Sequence, residues 1–248
     1  MIAALYRRVY PVVGRILSSS QTSERSEMMQ SVNIDSALEQ IAGRFGLNAA
    51  ELKAYAAEDD LGGHHPLPEI ARWPMGSIFG VEGQVLYALV RATKPQSILN
   101  VGTFHGASAV HMAAALVRNN LPSARLYAVD INLSVFNAID LADDIRARIV
   151  SVESDAIDYL NRRWPAKVGL IFEDLAHTDT EVQSVWEIAL KKANRGALII
   201  SHDVSHHVVG QSVQDGIKAA GIQLADGLEV LIEPSDCGLF LYRQTADN

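Results

Sequence analysis

Two short stretches of this chain place carboxylates beside imidazoles directly after apolar runs. Phe172-Glu-Asp-Leu-Ala-His-Thr178 supplies Asp174 and His177, and Ile200-Ser-His-Asp-Val204 supplies His202 and Asp203. An imidazole titrating near neutral pH suits proton removal, and a carboxylate beside it can orient the ring. Two carboxylates with an imidazole suit a divalent cation equally well. His177 and His202 are therefore the candidate bases, with Asp174 as their partner in catalysis, and Asp174, His202 and Asp203 form a candidate metal set.

A second constellation is Ser97-Ile-Leu-Asn-Val-Gly-Thr-Phe-His-Gly-Ala-Ser108. Gly102 and Gly106 stand between an apolar run and a helix-forming run. Lacking Cβ, they permit positive φ or close approach of a ligand, and the helix amino end beyond offers unpaired N–H groups. The same glycines would serve a plain strand-to-helix turn. Leu126-Tyr-Ala-Val-Asp130 then ends in an acid at the spacing that suits a ribose diol. Asp130 equally suits the cap of a helix entered through Asn132-Leu-Ser134, and the two roles are compatible. Asp155, in Glu153-Ser-Asp-Ala156, suits an exocyclic amine such as that of adenine, or the cap of a helix over Ala156–Leu160.

These groups need a scaffold that brings strand ends together. Apolar runs near 97–101, 126–130, 148–152, 168–173 and 197–201 alternate with helical patterns, which predicts a parallel sheet covered on both faces. Ligands bind at the carboxyl ends of such strands, where the acids and histidines lie. Ile222–Ile232 and Cys237–Tyr242 flank a turn too short for a crossover helix, so this last pair should be antiparallel. The expected fold class is α/β: a doubly wound, Rossmann-like, mainly parallel seven-stranded sheet with an antiparallel last strand, plus an N-terminal helical extension. Ile34–Phe45 and Ala49–Ala57 read as helices separated by Gly46, and Pro74–Ala92 as a loop and a helix with Ile78, Val81, Val85, Leu86 and Leu89 on one face. The expected division is residues 1–75 as the extension, serving docking, a lid or a dimer contact, and 76–248 as the domain that carries the chemistry.

Composition narrows the partners. The chain has 248 residues, 48% of them hydrophobic, and a formal net charge of -8 without a basic cluster. Nucleic-acid binding driven by phosphate neutralisation is therefore not expected, and a small molecule is the expected partner. Met1–Leu17 is broken by Arg7, Arg8, Pro11 and Arg15, so no membrane span is expected there, and a homo-oligomer contact is. The single cysteine, Cys237, allows no internal disulfide and no multi-cysteine zinc site, which points to a reducing, cytoplasmic setting.

Taken together, Asn100-Val-Gly-Thr-Phe-His-Gly-Ala-Ser108, Asp130, Ser154-Asp-Ala156, Phe172–His177, Arg195–Asp203 and the final strand pair resemble a class I S-adenosylmethionine-dependent methyltransferase, in its small-molecule O-methyltransferase-like branch. The resemblance covers about Gly80–Arg243. It implies that Gly102, Thr103 and Gly106 surround the methionine part of the cofactor, with Asn100, Phe104 and Ser108 also among the cofactor-binding residues. It further implies that Asp130 binds the ribose hydroxyls, that Asp155 and Ala156 lie along the adenine, and that Asn132 and Asp174 are cofactor-binding residues. Glu82-Gly83 resembles a segment that closes over it. Two departures stand out: Asn100 replaces a usual acid, and Ala176 sits where some relatives carry the base.

The implied activity is transfer of a sulfonium methyl to a small-molecule hydroxyl, assisted by a His/Asp base or a divalent cation such as Mg²⁺. An NAD-dependent oxidoreductase is the alternative, although the spacing Gly102-x-x-x-Gly106 departs from the dinucleotide fingerprint. A catalytically inactive cofactor-binding protein is the other. Trp73, Met75, Phe79, His64 and His65 are candidates for the acceptor pocket.

Overall fold

The computed structural model describes residues 30–59, 78–175 and 178–245. Among the sequence candidates, His64, His65, Trp73, Met75 and His177 lie outside the described residues, as does Ala176.

The chain enters through α1 (Ile34–Phe45), whose Asn33 side chain accepts the Ser36 N–H and whose end is closed by Gly46 in the left-handed region. Asn48 caps α2 (Ala49–Glu58) in the same manner. Next comes α3 (Gly80–Thr93), where the Glu82 carboxylate reaches back to the Phe79 N–H at 2.9 Å. Strand and helix then alternate through β1 (Ser97–Val101), α4 (Ala107–Arg118), β2 (Arg125–Asp130), the short α5 (Ser134–Asn137) and α6 (Asp143–Arg146), and β3 (Ile149–Glu153). The alternation continues with α7 (Ala156–Arg162), β4 (Val168–Glu173), α8 (Asp179–Lys192), β5 (Leu198–His202) and α9 (Gly210–Ala219). The last strands are β6 (Leu228–Val230) and β7 (Leu239–Arg243).

The strand order is β3-β2-β1-β4-β5-β7-β6. The pairs among β1 to β5 are parallel, and β7 runs antiparallel to both β5 and β6. This is the expected doubly wound sheet with its antiparallel last strand. One boundary differs. Where a strand over Ile222–Ile232 was expected, only Leu228–Val230 is extended, and Leu224–Asp226 forms a 3₁₀ turn. Gly227 lies between the two, where a Cβ would sit 2.3 Å from the Phe240 ring.

All five residues of β1 and of β5 are buried, as a central parallel strand requires. Two apolar layers cover the sheet. One joins Leu38, Ile41 and Leu52 of α1 and α2 to Val85, Leu86 and Leu89 of α3 and to α4. The other is built on α7, α8 and α9 around Trp186. The Trp186 indole donates to Ser201 Oγ, which in turn donates to the fully buried Glu173, so this acid is held by the scaffold. No described helix is long and apolar enough to cross a membrane.

Candidate active site

The carboxyl edge of the sheet gathers most of the candidates, beginning with the turn after β1. Gly102 and Gly106 both have φ of +84°, which L side chains rarely adopt. Protein atoms fill the space that their side chains would take. A Cβ on Gly102 would lie 2.0 Å from the Asp174 carbonyl oxygen, and one on Gly106 would lie 2.1 Å from the Phe136 ring. The first glycine therefore lets the turn after β1 press against the turn after β4, where the Asp174 N–H donates to Val101 O at 2.8 Å.

Asp130, at the end of β2, fastens this turn. One carboxylate oxygen accepts the Phe104 N–H at 2.8 Å and the other accepts the Asn132 N–H at 3.0 Å. Phe104 itself is in the left-handed region, φ 47°. Ser134 N and Oγ donate to the Asn132 side chain, and Leu133 N donates to Glu153. Asn100 is fully buried; its amide donates to Ser108 Oγ at 3.1 Å, and its carbonyl oxygen accepts from Thr103 Oγ1 at 3.2 Å. Its substitution for an acid thus leaves a neutral group that orders the turn from inside. Asp155 is exposed and caps α7 by accepting the Asp158 N–H, with Ala156 buried behind it. The cap role is the one its hydrogen bond displays. His105 stacks on Phe104 at 3.6 Å between centroids, and burial pushes its pKa down, so it is a neutral imidazole in the glycine turn.

The ends of β4 and β5 bring Asp174, His202 and Asp203 together. Nδ1 of His202 lies 3.3 Å from Asp174 Oδ1 and 3.3 Å from Asp203 Oδ1. Nε2 lies 3.1 Å from Oε2 of Glu82. Burial alone would push the imidazole pKa down, but Asp203, Glu82 and Asp174 outweigh it and raise it well above the ordinary value of 6.5. The ring is therefore a cation at neutral pH, and it can act as a base only after losing a proton. Asp203 holds a left-handed φ of 59°, an arrangement that needs support from its surroundings in a residue with a Cβ.

Two participants, Ser235 and Cys237, were not legible as site residues, and Glu82 was expected only as part of a segment that closes over the cofactor. Glu82 has no exposed surface and accepts from Ser235 Oγ at 2.7 Å as well as meeting His202. Ser235 Oγ also accepts the Cys237 N–H. Cys237 is buried, and its thiol pKa is pushed far up by burial and by Asp203, its hydrogen-bonding neighbour. A topological signal does exist for Cys237. His202 is registered with Leu239 in the antiparallel pair, so the residues leading into β7 must surface where β5 ends. A separate buried pair, His111 Nδ1 to Asp59 Oδ2 at 2.6 Å, lies between α4 and the end of α2, against Gly83.

Residues 99–204 match a family model described as a methyltransferase domain. Among curated proteins, none matches the chain significantly. Solved structures with the same fold include the O-methyltransferase TomG from Streptomyces achromogenes, involved in tomaymycin synthesis and solved with SAM. It is 21% identical, with 88% of this chain and 100% of that one covered and a TM-score of 0.57. They also include an O-methyltransferase from Bacillus cereus in complex with SAH, at 16% identity, 83% and 96% coverage and a TM-score of 0.55. A SAH-bound methyltransferase from Podospora anserina gives 17%, 80% and 95%, and 0.56. Asn100, Asp130, Asp174, His202 and Asp203 all fall within the segment that matches the methyltransferase-domain model, and the chain shares its fold with these solved methyltransferases.

Proposed function

We propose that this protein transfers the methyl group of S-adenosylmethionine to a hydroxyl of a small molecule. The observation that carries this reading is the contact between its two working parts. The glycine turn that suits the methionyl end of the cofactor touches the backbone of Asp174, whose carboxylate faces His202 beside Asp203. A methyl donor seated over Gly102 would therefore have an acid–imidazole group next to it, as in-line displacement at an acceptor oxygen requires.

Each residue then has a task. Each oxygen of Asp130 holds one backbone N–H and retains lone pairs for the ribose hydroxyls. Ile131, next in the chain and 54% exposed, offers an apolar surface to the adenine. Ser108 and Thr103, oriented by Asn100, are the polar groups nearest the methionyl end that do not depend on an acid at position 100. Asp174 and Asp203 would orient the acceptor hydroxyl and draw off its proton, with His202 between them. The same three side chains fit a divalent cation by donor type, and a cation there would lower the acceptor pKa and offset the charge on the developing alkoxide. The lone cysteine fits a cytoplasmic setting. A homo-oligomeric contact through residues 1–75 completes the reading, and light scattering of the full chain checks it.

Calorimetry with S-adenosylmethionine, S-adenosylhomocysteine and NAD tests the cofactor. Binding of the first two and not the third is expected, and NAD binding alone would return the dinucleotide alternative. A methyl-transfer assay over a panel of hydroxyl acceptors, with and without chelator, tests the reaction. The absence of turnover across acceptors, despite cofactor binding, would favour a binding protein.

A further inference from the structure

We infer that Cys237 is a ligand in the cation site at the ends of β4 and β5, and that this site selects a thiophilic ion of the zinc type over Mg²⁺. The inference rests on the proposed reading that Asp174, His202 and Asp203 hold a cation. It adds a donor that the chain supplies from its last strand.

Three observations support it. First, one ligand atom each from His202, Asp203 and Cys237 lies within 4.8 Å of the others, so a single ion can reach a nitrogen, a carboxylate oxygen and a sulfur with small side-chain movements. Asp174 Oδ1 lies 3.3 Å from the same ring nitrogen as Asp203 Oδ1. Second, His202 is oriented as a metal ligand commonly is. Its Nε2 meets the buried carboxylate of Glu82, which leaves Nδ1 directed at the other donors, and an outer carboxylate of this kind fixes the ring and raises its basicity. Third, the same outer group positions the sulfur. Ser235 Oγ donates to Glu82 and accepts the Cys237 N–H, so one chain of hydrogen bonds sets the imidazole and the cysteine backbone together.

The donor set decides the metal. Carboxylates alone suit Mg²⁺, Ca²⁺ or Mn²⁺, whereas an imidazole with a thiolate favours zinc and other borderline or soft ions. Binding displaces the thiol proton and one imidazolium proton to solvent as the ion takes their place; no electron moves and no other bond changes.

The test uses the full chain loaded with Co²⁺. Cys237 is the chain's only cysteine, so a thiolate-to-cobalt charge-transfer band has a single protein source. The expected result is that the band forms, that Zn²⁺ abolishes it and excess Mg²⁺ does not, and that it is lost in Cys237→Ser and in His202→Ala. Glu82→Gln should keep the band while weakening Zn²⁺ binding by about ten-fold or more. His206, His207 and Asp236 form a second group of possible donors nearby, so every measurement is repeated in a His207→Ala background. Cobalt bound without the thiolate band, or Zn²⁺ affinity unchanged in Cys237→Ser, would overturn the inference. If Cys237→Ser does not fold, the wild-type band decides alone. Calorimetry with S-adenosylhomocysteine on the same samples keeps the two questions apart: failure to bind it would sink the methyltransferase reading and leave the cobalt result intact.

Discussion

His202 concentrates the electrostatics of the site. Its imidazole is held charged by Asp203, Glu82 and Asp174 against the opposing effect of burial. A group whose folded pKa is raised contributes stability that is fully present below its unfolded value, near 6.5, and is lost as pH rises through the folded value. Chemical denaturation of the apo protein should therefore show a wild-type advantage over His202→Gln at pH about 6 that shrinks toward pH about 9. An advantage that grows with pH would contradict the ion-pair geometry. Asp174→Ala should abolish methyl transfer while leaving S-adenosylhomocysteine affinity largely intact, because the Asp174 backbone, and not its carboxylate, supports the glycine turn. Turnover of that variant at the wild-type rate would remove Asp174 from the reaction.

Among the elements, the junction of α2, α3 and α4 contains a buried polar pair within its apolar packing. His111 of α4 reaches the Asp59 carboxylate at 2.6 Å, and its ring occupies the space that a Gly83 side chain would need. Removing the imidazole breaks this buried hydrogen bond and leaves a cavity beside Gly83. His111→Ala should lower the melting temperature accordingly, and Asp59→Asn, which keeps the shape without the charge, should lower it less. Gly102→Ala is the corresponding prediction on the other side of β1. With φ at +84° and a Cβ 2.0 Å from the Asp174 carbonyl, the turn must move, and calorimetry should show cofactor binding lost together with the native melting transition. The helices themselves were readable from their punctuation: α1 runs over Ile34–Phe45 as expected, because Gly46 supplies its left-handed end. The pair Asp59–His111 was not readable, since the partners are 52 residues apart and neither sits in a pattern that names the other.

Across the whole molecule, the proposed reading puts donor binding and acceptor activation at different strand ends, β2 with the glycine turn on one side and β4 with β5 on the other. Asp130→Ala should raise the S-adenosylmethionine KM and leave kcat largely recoverable at saturating cofactor. Asp174→Ala should instead lack turnover at any cofactor concentration, and steady-state kinetics on the first variant with calorimetry on the second check the division. Alternation of apolar runs and turns predicted the sheet, its parallel strands and its reversed last strand, because each follows from local pattern and connection length. The approach of Glu82 to His202 across 120 residues does not, because it depends on how the amino end of α3 docks against the sheet edge.

The placement of β7 between β5 and β6 carries a consequence for the order of folding. The β5 edge lacks its neighbour until the chain beyond residue 237 has been made, so the interior of the sheet is completed by a strand made after those on either side of it. Contacts spanning that much sequence are slow to form and leave a strand edge open to mispairing in the meantime. Cys237 and Ser235 arrive with that strand, and the acid–imidazole cluster assembles only as the sheet closes. Nascent or truncated chains ending before β7 would therefore expose an open strand edge and lack the Ser235 and Cys237 contacts of the cluster, which ties assembly of the cluster to the arrival of β7.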